Sequence, residues 1–255
     1  MSILQTAELL ISPDRHCFWL WHLIERDIYF EYPLKVYNSH GDHIDWDLVL
    51  NQLKLPLTIQ SLQINMDVDG AGMFCGGDRE YELRENEVIT LYLEKITMFL
   101  WIWGAFEATI DLICDQNKDS AYRKAISYLK RNEPINELKG LNELTEAVMR
   151  ILTHMAPELA ENALRESSKN NENKYLFLHV CRLLRNRFLH GKKGLPNIDD
   201  ICPKCGGNRI PEKHSEILLL DGLNQLTLFG IQSIMSCFFS DKPTPEIYFS
   251  VTCPQ

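Results

Sequence analysis

Apolar residues recur at helical spacing along most of the chain. Over residues 175–191 (YLFLHVCRLLRNRFLHG), Leu176, Phe177, Val180, Leu183, Leu184 and Phe188 form one broad stripe. His179, Asn186 and His190 make a second line beside it, with Arg182 and Arg185 further round. Gly191 stands where a helix takes a left-handed residue after its last turn. A longer helix is predicted over 86–115. It carries Leu100, Trp103, Glu107, Ile110 and Cys114 on one line and Phe99, Ile102, Phe106 and Ile113 on the next. An apolar arc that wide must be covered on more than one side. The last strong helix, 216–239, has Leu219, Leu223, Leu226, Gly230, Ile234 and Cys237 along one face. Between these, 120–131 and 141–153 read as helices separated by Asn132-Glu133-Pro134, and Pro157 opens a further short one.

The first third follows a different pattern. Ser12-Pro13-Asp14 forms the cap and first turn of a helix running toward Phe30 and stopped by Pro33. An amphipathic helix over 44–54 is ended by Pro56. Leu62, Ile64, Met66 and Val68 then alternate with polar residues, which predicts a strand closed by Gly70-Ala71-Gly72. With a second turn at Gly76-Gly77, residues 61–82 read as a small hairpin or sheet. Residues 169–174 and 191–214 are polar loops, and Pro243 and Pro245 break up the tail. The expected fold is mainly α. A helical domain spans 86–240 with a cysteine-containing loop at 192–214, a smaller mixed α/β region occupies 1–85, and a tail follows at 241–255.

Composition adds bounds. The 255 residues suffice for one large domain or two small ones, and 45% apolar with 24% charged residues is ordinary for a soluble protein. No basic, apolar and cleavage-site succession marks a secretory signal. Residues 96–113 are the most apolar, but Glu107 and Asp111 among them favour a buried core helix over a membrane span. A cytoplasmic location without membrane association is expected. The eight cysteines then read as reduced thiols, with Cys17, Cys114, Cys181 and Cys237 in apolar runs as core residues. A net charge of −9 argues against a general nucleic-acid binder. Positive charge is nevertheless concentrated around the 175–191 helix, in Arg182, Arg185, Arg187, Lys192, Lys193, Lys204 and Arg209.

The string Arg185-Asn186-x-x-x-His190 resembles the R-N-x-x-x-H signature of HEPN-domain ribonucleases, and its extension RNRFLHG is similar to ApeA-like and related antiviral or toxin HEPN proteins. The resemblance spans roughly 86–240, with the motif helix its specific part. It implies a HEPN-like antiparallel helical bundle and metal-independent RNA cleavage, with the 2′-hydroxyl attacking the adjacent phosphorus to leave 2′,3′-cyclic phosphate and 5′-hydroxyl ends. His190 would do the proton work, Arg185 would hold phosphate oxygens through its planar fork, and Asn186 would orient the imidazole or bond a phosphate. His179, Arg182, Arg187, Lys192 and Lys193 would support the site or bind RNA. Glu107 is expected to pair with Arg185 or Arg182, either as part of the site or only to orient helices. His190 would sit at a helix C-terminus, where the helix dipole favours the imidazolium. Residues five apart on a helix point about 140° apart. Arg185 and His190 therefore meet only if the arginine reaches round, the helix loosens near Gly191, or two chains combine their motifs. HEPN proteins commonly use the last arrangement, so the resemblance implies a homodimer with a composite cleft, and with it an antitoxin or defence-system partner.

Cys202-Pro-Lys-Cys205-Gly-Gly has the form of half a zinc knuckle. A structural zinc would take its remaining ligands from His214, Cys253 or Cys75, because no second Cys-x-x-Cys exists. No cofactor is expected for catalysis. His40-x-x-His43 reads as part of a polar turn. The rival to the enzyme is a non-catalytic HEPN-type scaffold binding RNA or protein, with or without zinc.

Overall fold

The computed structural model describes residues 12–25, 45–59, 76–114, 119–132, 138, 140–169, 171–189 and 215–240. Eight α-helices account for nearly all of them: α1 (Pro13–Leu23), α2 (Asp47–Thr58), α3 (Gly76–Ile113), α4 (Ala121–Asn132), α5 (Leu141–Met155), α6 (Pro157–Lys169), α7 (Leu176–Leu189) and α8 (Ser215–Ser240), with a 3₁₀ turn at Asn173–Tyr175 before α7. No strand occurs among the described residues.

Helix α8 is the centre of the assembly. It packs against α1, α3, α4, α5 and α7, and Leu220, Leu223, Leu226, Leu228, Phe229, Ile231, Ile234 and Met235 are fully buried. Both α3 and α8 are long and apolar enough to cross a membrane, but 89% of the most apolar stretch of α8 is buried within the protein. An all-round apolar helix is what the centre of a core requires. Several polar side chains of α8 bond within the protein. Thr227 and Ser233 donate to Leu223 and Phe229 carbonyls one turn back, and Gln225 and Gln232 hold the buried ring of His16 on α1. Lys95 of α3 pairs with Asp221 of α8 at 2.9 Å.

Helix α1 begins as expected: Ser12 caps it by accepting from the Arg15 amide, and Pro13 fills the first turn. Its expected extension to Phe30 lies outside the described residues. Two expectations are corrected. Pro56 does not end α2 but lies within its last turn. There its missing N–H costs a single bond, and the Thr58 hydroxyl ties the turn by donating to the Leu55 carbonyl at 2.8 Å. Gly76 and Gly77 form no turn of a hairpin; they start α3. Glycine permits many backbone conformations without dictating one, and the helix starts ten residues upstream of the predicted 86. The predicted strand at 62–69 lies outside the described residues. Helices α1 and α2 pack on α3 and α8, and Cys17, Leu20, Trp46, Val49 and Leu53 join the same apolar core as the later helices.

Candidate functional site

The motif helix is positioned by the turn before it. Helix α6 ends with Asn171 in the left-handed region (φ 54°), the Glu172 amide bonding the Ser167 carbonyl at 2.6 Å and the Asn171 amide bonding that of Ser168 at 3.1 Å. This is a Schellman cap with asparagine in the glycine position. It reverses the chain so that Glu172 lies against the first turns of α7.

On α7 itself, Phe177, Leu178, Val180, Cys181 and Leu184 are buried, as the stripe requires. His179 is buried too, 1% exposed. Its Nε2 lies 2.9 Å from Glu172 Oε2, and its Nδ1 lies 3.6 Å from Glu166 Oε2. Glu172 also pairs with Lys130 of α4 at 2.7 Å, and Glu166 accepts a hydrogen bond from Arg182. Lys130, Glu172, His179, Glu166 and Arg182 thus form one chain of polar contacts joining α4, α6 and α7. His179 is held in the interior and does not reach the surface.

Arg182, Arg185 and Asn186 open onto a cleft of about 440 Å³ between α7, the C-terminal part of α3 and the start of α4. The Arg185 guanidinium lies 3.7 Å from Glu107 Oε1, donates to the Asn186 side-chain oxygen at 3.3 Å and sits over the Trp103 ring at 5.9 Å. The expected partner of Glu107 is therefore Arg185. Glu107 is not the buried carboxylate its apolar surroundings in sequence imply, since its side chain is 41% exposed at the cleft wall. Arg182 is 4.6 Å from the ring centre of Tyr122, whose edge also meets His179. Tyr122 and Glu166 carry no signal in the sequence, and Trp103 reads there only as part of the apolar arc that holds Glu107. Aromatic and acidic residues are common on helices, and only their meeting across three elements distinguishes these.

Arg187 projects to the other side of α7, into a narrow gap it lines with Phe188 and Glu216. There Tyr92 is pushed up to about 12 by burial and then by Glu216, with Arg187 opposing. Arg187 is thus not brought to the cleft. His190, Lys192, Lys193, Cys202, Cys205 and His214, with Cys75 and Cys253, lie outside the described residues. Among the described residues no group of three or more His, Cys, Asp or Glu side chains could hold a metal. Cys17, Cys114, Cys181 and Cys237 are buried, as expected of core residues.

Chemically, the described cleft offers guanidinium donors, an amide and aromatic faces, with carboxylates bracing the guanidiniums. That set suits an anionic ligand with planar groups. The chain matches no protein-family model, no curated protein and no solved structure.

Proposed function

We propose that this chain is a metal-independent endoribonuclease of the HEPN class, folded as a HEPN-like bundle over 86–240 beside an N-terminal part of mixed character. The observation that carries the reading is the cleft in which Arg185, Asn186 and Arg182 of the motif helix come to the surface together, with Glu107 opposite. In the reaction Arg185 holds the non-bridging oxygens of the scissile phosphate and offsets the charge gained when the 2′-hydroxyl attacks. Asn186, already bonded to Arg185, keeps that fork in plane. His190 follows directly on the last residue of α7 and moves the proton between the 2′-oxygen and the departing 5′-oxygen. Because residues five apart on an ideal helix point about 140° apart, the productive site joins Arg185 of one copy to His190 of a second across a twofold. A role in antiviral defence or as the toxin of a toxin–antitoxin pair is the corresponding biological setting, with an antitoxin or defence protein as partner and a structural zinc at Cys202, Cys205 and His214.

The test is incubation of purified protein with mixed cellular RNA in EDTA, followed by mapping of the ends. Cyclic phosphate and 5′-hydroxyl termini, lost in Arg185→Ala and His190→Ala, are expected. Chelator-sensitive cutting or 5′-phosphate ends contradict the mechanism. A second reading, a scaffold that binds RNA or protein without cutting it, is favoured by one observation: the guanidiniums of Arg185 and Arg182 face carboxylates, Glu107 and Glu166. Binding without cleavage by clean wild-type protein selects it.

A further inference from the structure

Arg182 and Arg185 are three residues apart on α7, so their side chains leave the helix as neighbours, with Cβ atoms about 5–6 Å apart. Both line the cleft. Each guanidinium is braced alike, by a carboxylate from another helix and by an aromatic ring. For Arg182 these are Glu166 and Tyr122, and for Arg185 they are Glu107 and Trp103. The bracing fixes both forks but does not use all their donors. The Nε of each is buried with no partner among the described residues. Trp103, only 5% exposed and lining the same cleft, has an unpartnered Nε1 as well. Guanidiniums that line a cleft suit a ligand rich in acceptor oxygens. Its other wall includes Ser120, whose carbonyl accepts from the Arg123 and Lys124 amides as α4 begins. The positive end of that helix therefore faces the same space.

We infer that Arg182, with Tyr122 and the first turn of α4, forms a second phosphate subsite, holding the phosphate next along the RNA strand from the one at Arg185. The inference deepens the ribonuclease reading and rests on RNA as the ligand. Two guanidiniums one helical turn apart match consecutive phosphates of one strand, whereas a lone phosphate engages them as a single site. Tyr122 and Trp103 add faces on which unstacked bases rest. Glu166 is a positioning residue, setting the plane of the Arg182 fork while His179 backs it from the interior.

The experiment measures binding of single-stranded 2′-O-methyl RNA of mixed sequence, which cannot be cut by 2′-hydroxyl attack, as a function of salt. Each phosphate contact on a single strand contributes about 0.7 to the slope of log affinity against log salt. Arg182→Gln is expected to lower the slope by about 0.7, Arg182→Lys to restore it, and the double variant with Arg185→Gln to lower it by about 1.4. An unchanged slope in Arg182→Gln, a lysine variant as impaired as the glutamine one, or no binding by wild-type protein overturns the subsite. Should Arg182→Gln fail to fold, the wild type decides through oligonucleotide length. Lengthening the ligand from one phosphate to two is expected to tighten binding about tenfold; an equal affinity overturns the proposal. Cleavage of cellular RNA is scored separately. Cutting with an unchanged slope removes the subsite and leaves the nuclease, while the expected slopes without cutting keep the subsite and remove the nuclease.

Discussion

Arg185 of α7 and Glu107 of α3 face each other at 3.7 Å, with side chains 29% and 41% exposed. The separation exceeds a hydrogen bond, and at that exposure the pair contributes at most about 1 kcal/mol to stability. Its importance is directional, since it turns the guanidinium toward the cleft. Glu107→Gln is therefore expected to leave the melting temperature within a few degrees of wild type and to slow RNA cleavage by less than about tenfold. Arg185→Ala should slow it by about 10²–10³, the usual cost of losing one charge-stabilising donor. Melting curves and cleavage rates on the same preparations check both; equal rate losses in the two variants would mean that Glu107 does more than aim its partner.

The ring of His16 gives the fold a pH dependence. It is fully enclosed, with Nε2–H donating to Gln232 Oε1 at 2.9 Å and Nδ1 accepting from Gln225 Nε2 at 2.7 Å, so only the neutral form fits. Burial lowers its pKa from 6.5 to about 4, and the bond to Gln232 opposes this only in part. The unfolded chain takes up the proton below 6.5, whereas the folded one does not until about 4. This residue's contribution is therefore complete above 6.5 and falls as pH drops through that window, by on the order of 3 kcal/mol in total. Urea unfolding of wild type and His16→Gln across the window isolates it. Parallel pH profiles would rule the histidine out as the cause.

Helices α8 and α5 touch at Gly222, where a Cβ would lie 2.4 Å from Val148 Cγ2. Val148 is itself 1% exposed and cannot turn away. Gly222→Ala should destabilise by about 1–3 kcal/mol, as overpacking does. Adding Val148→Ala should recover part of that loss. Chemical denaturation of the two single variants and the double variant gives the coupling directly.

Thiol chemistry should divide the cysteines into two sets. Cys17 and Cys181 are pushed up to about 12, chiefly by burial, so neither presents a thiolate to a reagent at mildly alkaline pH. In native protein both should stay unmodified, as mass spectrometry after alkylation will read. If Cys202 and Cys205 hold zinc, chelation should increase alkylation at those two positions and leave Cys17 and Cys181 protected. Labelling of Cys181 without denaturant would show that α7 is less firmly packed than its contacts imply.

Much of the helical skeleton was legible in periodicity. The α7 stripe of Phe177, Val180 and Leu184 is buried, and Pro157 and Ser12-Pro13 open helices where capping rules place them. Local rules misread Pro56 and Gly76-Gly77 because such residues bias the backbone without dictating it. His179 and Asn186 stand two turns apart on one side of α7, yet one is sealed and the other opens on the cleft. Nothing in their spacing separates them; the chain returning through Glu172 covers only the first turns.

What the sequence by itself determined is therefore the set of strongly patterned helices and the presence of Arg185 and Asn186 on one of them, because helical periodicity is a property of neighbouring residues. Tertiary structure alone decided that Glu107 meets Arg185, that Glu166 and Tyr122 hold Arg182, and that Arg187 faces away. Each of those contacts joins residues on separate helices. They form only when burying apolar surface around α8 brings those helices together, and no local pattern records which polar groups will then come within reach.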